Sequence, residues 1–377
     1  MQKIQLKESF PHGIVSEVIS PDNFSIIRCE MLTSDHGKIF FDRLEELAKF
    51  IPNLPPFHQL GQIQNLVAVI KKNNEMDLFI NETIVAVKCL SKGKSKEVGD
   101  TVSHDDIADI TDVELRGPII NDDDAVFILI THGWRKLLFW DFSQLSGDAE
   151  KRKYNLGKVL AQGFARIAYS QLSFMNEDVV SKLFRIRWFP FVTLSYELRK
   201  EILNADPVSF KEDFFVLKIS VELDAKLDEI LLKWESYEQF SNHMEFFKRG
   251  IDSYKNNDFI SCISLVFPRI EGVLRSLDNV TSWERGDQNI IGKIVPESLK
   301  DPATFSALTP SVFCAFVRNV MFHEFKGQEW IKQKSGAVFG RHSIAHGILP
   351  SEDYSKGNAA RLLLTIDHLC HILKLPK

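Results

Sequence analysis

The sequence predicts an α+β multidomain protein with a β-rich N-terminal domain, a helical middle section and a C-terminal all-α helical bundle. Three observations lead to this prediction. The chain has 377 residues, more than one ordinary domain, and its 44% hydrophobic and 26% charged residues are typical of a globular protein. Short runs rich in β-branched and aromatic residues dominate up to about residue 148. After residue 240 the apolar residues recur at helical spacing.

Residues 1–148 contain the patterns expected of strands. We expect strands at 24–32, 66–72, 76–80, 83–90, 125–130 and 137–142, with one amphipathic helix at 38–50. AVFILI and LLFWDF flank His132–Gly133, which predicts a hairpin in a largely antiparallel sheet. The acidic segments SHDDIADITD and NDDD are expected to be loops. In NDDD, the carboxylates of residues 122–124 offer ligands for a divalent cation, but adjacent residues point apart, so we favour a solvated turn.

Residues 149–240 change to a helical period and form the middle section, in which the aromatic string RWFPFVTL (187–194) stands out. Aromatic side chains interleaved with Arg185, Arg187 and Arg199 are one means of stacking nucleic-acid bases. A string that contains Pro190 is more often a docking turn between domains. Both interpretations remain open at the level of the sequence.

Residues 241–377 are expected to form a bundle of four or five helices. Asp258 precedes the stretch FISCISLVFPRIEGVLRSL as an N-cap, and one apolar stripe runs through it from Ile263 to Leu277. Because the stripe continues in phase, Pro268 should kink this helix without ending it. Further helices are expected at 310–325, 330–346 and 358–373. Gly347 should end the helix at 330–346 from a left-handed conformation.

The composition argues against several classes of protein. The five cysteines are scattered without a CxxC pair, which predicts reduced thiols and no zinc site. The first residues, MQKIQLKESFPHG, contain no long apolar run, and no segment approaches about 20 apolar residues. We therefore expect a cytoplasmic protein without a membrane partner. The net charge of −5 does not by itself indicate nucleic-acid binding.

The segment GAVFGRHSIAHGILP carries the residues of greatest chemical interest. His346 directly precedes Gly347, at the end of a helix, where a histidine can take and give a proton. His342 and His346 are four residues apart and would stack as a metal-ligand pair, but Ser343 stands where zinc proteases of this pattern have glutamate. A third interpretation makes Arg341 and His346 helix caps that pair with carboxylates such as Glu271.

The order Arg341, His342, three residues, His346 resembles the motif of the HEPN superfamily of helical bundles, which are frequent in prokaryotic defence and toxin systems. The stretch NNDFISCISLVFPRIEGVLRSL is similar to the first bundle helix of a group of bacterial HEPN proteins, in which a Pro, a Glu and an Arg recur. Here Pro268, Glu271 and Arg275 occupy those places. His342 departs from the Asn that is commonest after the arginine. The resemblance covers about the last 135 residues.

This resemblance implies a HEPN-like bundle at 241–377 that cleaves RNA without a metal or another cofactor. Arg341 and His346 would be catalytic, with His342, Glu271 and Arg275 in supporting roles. It also implies a homodimer through the bundle, single-stranded RNA as the substrate and no action on DNA, which lacks the 2′-OH. The alternative is a non-catalytic HEPN-like module for dimerisation or for nucleotide or RNA binding, since relatives can keep a fold and lose its chemistry. Residues 1–148 would sense a signal or recognise a partner.

Overall fold

The computed structural model describes residues 1–6, 29–51, 61–93, 96–145, 151–169, 177–277, 310–322 and 339–373, without the side chains of 275–277 and 342. The chain has mixed α/β content, with a β-rich N-terminal region and helices towards the C-terminus. It divides into two compact units. Unit 1 comprises residues 1–89 and 110–170, and unit 2 comprises residues 90–109 and 171–377.

Unit 1 is built on a six-stranded antiparallel sheet. The strands of the described chain are β1 (Gln2–Gln5), β2 (Glu30–Thr33), β3 (Asn65–Ile70), β4 (Glu75–Ile80), β5 (Ile84–Ser91), β6 (Ile107–Arg116), β7 (Ala125–His132) and β8 (Arg135–Asp141). The order in the sheet is β1-β4-β3-β7-β8-β2, with every neighbouring pair antiparallel. β5 and β6 form a separate two-stranded ribbon, and the division between the units falls inside it.

The predicted hairpin of β7 and β8 is confirmed. Val126 pairs with Asp141 and His132 with Arg135, which leaves a two-residue loop that begins at Gly133. Gly133 has a φ of 61°, a left-handed value that favours glycine at the first position of a tight hairpin turn. The loop therefore lies one residue further along the chain than the predicted His132–Gly133.

Two helices cover the sheet, one on each face. Helix α1 (Lys38–Ala48) contributes Phe40, Leu44 and Leu47 to a core that includes Leu138 of β8. Helix α2 (Leu156–Ala168) packs against β2, β7 and β8, and its Gly163 lies so close to Leu137 that a Cβ would stand 2.5 Å from a Leu137 methyl carbon. Consecutive strand residues point to opposite faces, so Leu137 and Leu138 mark the two layers. Helix α2, which the sequence analysis assigned to the middle section, thus packs within unit 1.

The expectation that SHDDIADITD is a loop was wrong. Only His104–Asp106 form a short 3₁₀ turn, and β6 begins at Ile107 and extends over ten residues. The sequence pattern missed this strand because its burial does not alternate: Ala108, Asp109 and Ile110 are all buried, and aspartate is rare in strands. The NDDD segment is a turn, as favoured. Asp124 closes it by accepting a hydrogen bond from the Asn121 amide at 2.8 Å and pairs with Lys71 at 2.7 Å.

Unit 2 consists of helices together with the tip of the β5–β6 ribbon. The described helices are α3 (Glu177–Ile186), α4 (Tyr196–Asn204), α5 (Glu212–Asp224), α6 (Leu227–Glu235), α7 (Met244–Lys255), α8 (Phe259–Leu277), α9 (Pro310–Phe316, continued by a π-helix at Val317–Met321), α10 (Arg341–Ala345) and α11 (Lys356–Leu373). Helices α5 and α6 are separate, because α5 ends at Asp224 and α6 begins at Leu227. Residues 323–338, which include most of the predicted helix at 330–346, lie outside the described residues.

Helix α8 has the features expected from its sequence. Asp258 caps it by accepting a hydrogen bond from the Ser261 amide at 3.0 Å. The helix continues through Pro268 without ending. Ile263, Val266, Phe267, Ile270 and Leu274 are buried, and the helix packs against α7, α10 and α11. The apolar stripe thus fixes which face of α8 points inwards.

Helix α11 lies at the centre of unit 2. Every residue from 357 to 372 is buried, so all faces of this helix are covered. The helix packs against α5, α6 and α8, which enclose polar side chains as well as the leucines. Arg361, Asp367 and His368 are therefore buried with partners from those neighbours or from the segment that precedes α4. None of the helices in the described part of the chain is long and apolar enough to cross a membrane.

Candidate active site

The segment Arg341–Gly347 forms a helix end closed by its own backbone. The Gly347 amide donates to the Ile344 carbonyl at 3.2 Å, and the Ile348 amide donates to the Ser343 carbonyl at 2.9 Å. These two bonds are the Schellman arrangement, in which the residue after the cap is left-handed. Gly347 has a φ of 65°, so the prediction that it ends this helix is confirmed. His346 consequently occupies the C-cap and is exposed.

Arg341, at the start of the same short helix, forms a forked salt bridge with Glu271 of α8. Arg341 Nε lies 2.7 Å from Glu271 Oε2, and Arg341 Nη2 lies 3.3 Å from Glu271 Oε1. The two side chains retain 37% and 24% of their exposure, so the pair lies at the edge of the core. Two parallel bonds fix the plane of the guanidinium as well as its position. The structure thus brings together two of the residues that the motif indicated, although 70 positions separate them.

The backbone before Arg341 is held by contacts that the sequence analysis missed. Phe339 is buried, and its carbonyl accepts a hydrogen bond of 2.5 Å from Arg187 Nη2. Arg187 adopts a φ of 60°, which is unusual for a residue other than glycine, and burial lowers its pKa. Gly340 lies against Met321, whose carbonyl oxygen would be 3.1 Å from an added Cβ. The only signal in the sequence was the run GAVFG before the arginine, which does not identify Arg187 as a hydrogen-bond partner.

Two supporting residues cannot be placed. The side chains of Arg275 and His342 lie outside the described residues, although the backbones of both are helical. The metal-ligand interpretation of His342 with His346 therefore stays a prediction. Within the described ranges, no group of three or more His, Cys, Asp and Glu side chains is arranged to hold a metal ion.

The aromatic string at 187–194 belongs to the core of unit 2, so its base-stacking interpretation was wrong. Trp188, Phe189 and Phe191 are fully buried. Phe189 packs edge-on against His368 of α11, with ring centroids 5.0 Å apart. Arg199, one of the interleaved arginines, is buried too, and its Nε donates to the Pro190 carbonyl at 3.3 Å. Bases cannot stack on rings that solvent does not reach. The string packs the middle section against α11 of the C-terminal section, and both belong to unit 2.

The short helix α10 thus carries a fixed cation, Arg341, at its start and an exposed imidazole, His346, at its end. A guanidinium can bind two oxygens of a phosphate, and a histidine at a helix end is suited to proton transfer. Comparisons of the chain with known protein families, with curated proteins and with solved structures found no match. The resemblance to the HEPN superfamily therefore depends on the motif residues and their geometry.

Proposed function

We propose that the chain is a metal-independent endoribonuclease of HEPN type, with Arg341 and His346 as its catalytic residues. The observation that supports this best is the forked Arg341–Glu271 pair at the start of the short helix whose C-cap is the exposed His346. The pair holds the guanidinium in one orientation while leaving it partly exposed. Preorganised charge at a reacting phosphate is generally the largest contribution that an active site makes.

RNA cleavage requires three protein groups that act on the substrate. A base removes the proton of the 2′-OH, an acid protonates the leaving 5′-oxygen, and a cation stabilises the negative charge that develops on the phosphorane oxygens. His346 supplies proton transfer, and Arg341 supplies the cation. One motif offers a single histidine for two proton transfers, so the proposal includes a homodimer in which two bundles bring both motifs to one cleft. DNA lacks the 2′-OH nucleophile and should not be cleaved.

The alternative proposal is a HEPN-like module without catalysis that dimerises or binds a nucleotide or RNA. One observation favours it. The fork to Glu271 engages Nε and Nη2 of Arg341, which are donors that a phosphate would otherwise use. In that case Arg341 serves to tie α10 to α8. The setting that we propose for either activity is prokaryotic defence or a toxin system, in the cytoplasm.

The test compares cleavage of a single-stranded RNA by the purified chain and its variants in the presence of EDTA. His346→Ala and Arg341→Ala should each reduce the rate by about 10²–10⁴-fold, because each removes a group that acts in the transition state. His342→Asn should keep its activity, since Asn is the commoner residue there in the family. The matched control is His104→Ala, which removes another exposed histidine and should leave the rate unchanged.

The two proposals separate clearly in this assay. An oligodeoxynucleotide of the same sequence should remain intact with every variant. Absence of EDTA-resistant cleavage by the wild-type dimer would refute the nuclease. Retention of dimerisation and RNA binding in that case would support the non-catalytic module. Activity that requires a metal and is lost in His342→Asn would instead support the stacked histidine pair as a metal site.

A further inference from the structure

A cavity of about 890 Å³ in unit 2 lies apart from the Arg341 site. Its walls come from the ribbon tip, the segment before α4, and helices α6 and α11. The volume is that of a typical small-molecule site, which buries most of a ligand among a few well-placed polar groups. What distinguishes this cavity is the number of ammonium groups around it, which come from Lys92, Lys96, Lys226 and Lys233.

Two of these lysines are held side by side by neutral partners. Lys92 Nζ donates to the Leu194 carbonyl at 3.0 Å, and Lys226 Nζ donates to the neighbouring Thr193 carbonyl at 2.8 Å. A carbonyl accepts a hydrogen bond but supplies no countercharge. The Asp105 carboxylate lies 3.9 Å from Lys92 Nζ, beyond hydrogen-bond distance. The ammonium groups of Lys92 and Lys226 therefore face the cavity, and each donates its hydrogen bond to a neutral carbonyl rather than to a carboxylate.

The floor of the cavity adds a third ammonium that is already neutralised. Lys233 pairs with the fully buried Asp367, and its Nζ also lies 3.0 Å from His371 Nε2. Thr193 Oγ1 donates to Asp367 at 2.5 Å, which ties this group to the segment whose carbonyls hold the other two lysines. Lys233 thus contributes N–H donors at a fixed position rather than excess charge.

The mouth of the cavity carries two carboxylates, Asp105 and Asp106, that already have hydrogen-bond or ion-pair partners. Asp106 binds Lys96 at 2.9 Å, and the exposed Asp105 accepts a hydrogen bond from the Tyr196 amide at 2.6 Å. Glu229 also lines the cavity, so the lining carboxylates equal the lysines in number, and Lys92 and Lys226 are the two lysines that donate to carbonyls rather than to carboxylates. Ile230 and Leu232 of α6 supply an apolar wall beside these lysines.

We infer that this cavity binds a small phosphate monoester, with the phosphate between Lys92 and Lys226 and the organic part along α6. A dianionic phosphate matches two ammonium groups in charge and offers enough acceptors for the donors of Lys233 as well. Inorganic phosphate alone would leave most of the volume unfilled. The hydrogen bonds of Lys92 and Lys226 go to neutral carbonyls, and the ion pair of Lys92 with Asp105 is long, at 3.9 Å.

The electrostatics of Lys92 agree with this inference. Burial lowers the pKa of Lys92 to about 7, and the charges of Arg199 and Lys226 act in the same direction. Asp105 and Glu222 oppose the shift but do not cancel it. A bound dianion would favour the protonated amine, so binding should be coupled to proton uptake near neutral pH.

Binding is measured on the full chain by calorimetry, with the fluorescence of the buried Trp234 as a second signal, because its Nε1 donates to Asp367 at 3.1 Å. The probes are inorganic phosphate, ribose 5-phosphate and adenosine monophosphate. At least one ester should bind more tightly than inorganic phosphate, and the better ester distinguishes a sugar phosphate from a nucleotide. Lys92→Met and Lys226→Met should each weaken binding about tenfold or more, through loss of a charge-assisted hydrogen bond.

Two further measurements keep the test decisive if a variant misfolds. In the wild-type chain, the bound ester should protect Lys92 and Lys226 from reductive methylation while Lys218, outside the cavity, reacts as before. Sulfate keeps its charge in this pH range, and its affinity should fall by about tenfold between about pH 6 and pH 8.5 as Lys92 loses its proton. Lys218→Met is the matched control and should bind normally. Equal affinity for phosphate and both esters, or esters that bind without protecting Lys92 and Lys226, would overturn the inference.

Discussion

Neutralising Asp367 should destabilise unit 2 more than any surface charge change can. The carboxylate is fully buried on α11, accepts hydrogen bonds from Thr193 Oγ1 and Trp234 Nε1, and pairs with Lys233. Burial alone would raise the pKa of Asp367, but the charges of Lys233 and His371 outweigh it and hold the pKa below its usual range. The charged carboxylate is therefore the form that the folded state requires.

The expected loss in the free energy of unfolding follows from the charge that each substitution leaves buried without a partner. Asp367→Asn strands the ammonium of Lys233, whose side chain is 12% exposed, without its countercharge. Breaking a buried pair from one side costs about 3–5 kcal/mol. For a unit of this size that corresponds to a fall in Tm of roughly 6–20 °C. The double variant Asp367→Asn with Lys233→Met removes both charges, so it should lose at least about 2 kcal/mol less than the sum of the single variants.

Urea unfolding followed by tryptophan fluorescence measures these free energies. The control is Asp228→Asn, which removes a carboxylate that is 86% exposed and paired with Lys255, and which should cost no more than about 1 kcal/mol. Because the folded-state pKa of Asp367 is lowered, its contribution is present above the unfolded pKa of about 4 and is lost as the pH falls below it. A loss of under about 1 kcal/mol in Asp367→Asn, or additive single variants, would refute the reasoning.

Four further outcomes are expected. Glu271→Gln should lower RNA cleavage about tenfold with little change in Tm, because the guanidinium of the catalytic arginine loses its charged partner; full activity would show that the fork is not needed. Gly347→Ala should cost about 1–2 kcal/mol in urea unfolding, since the residue has a φ of 65°. Gly163→Ala should cost about 1–3 kcal/mol, because a Cβ meets packed side chains within 2.5 Å. Burial raises the pKa of Cys262 to about 12, so iodoacetamide near neutral pH should label the exposed Cys89 and spare Cys262 until urea unfolds the chain, as mass spectrometry would show.

Local patterns predicted the elements whose physics is local. The apolar run AVFILI forms β7, the N-cap Asp258 begins α8, and Gly347 ends α10, because each depends on neighbours in sequence. β6 was missed for a physical reason. Ala108, Asp109 and Ile110 are buried in succession, so no alternation marks the strand, and aspartates stand where a strand pattern calls for threonine or valine. Charge in a segment indicates a loop only when no partner neutralises it.

The two sites also differ in how far local sequence patterns predict them. The motif at Arg341–His346 was visible because its spacing along one helix is local, and its pairing with Glu271 was among the alternatives weighed from the sequence. The lysine cavity could not be predicted from the sequence. Lys92 comes from the ribbon tip, whereas Lys226 and Lys233 come from the start and the body of the α6 region, and only the tertiary fold brings them together. No pattern in a single sequence specifies that two lysines will share adjacent carbonyls.

The polar residues of α11 fix the position of this buried helix, which lines the lysine cavity and packs against α8. An all-apolar helix could rotate or slide among similar packings, whereas a buried charge is tolerated only opposite its own partner. Arg361 meets Glu212 of α5 at 2.6 Å, Asp367 meets Lys233 of α6, and His368 Nδ1 accepts a hydrogen bond from the Val192 amide at 3.1 Å. These contacts point in three directions and are satisfied together at a single placement of the helix. That placement puts Asp367 at the floor of the lysine cavity and sets the surface on which α8 packs. The register of α11 therefore determines both where the lysine donors lie and where α8 presents its carboxylate to the guanidinium of α10.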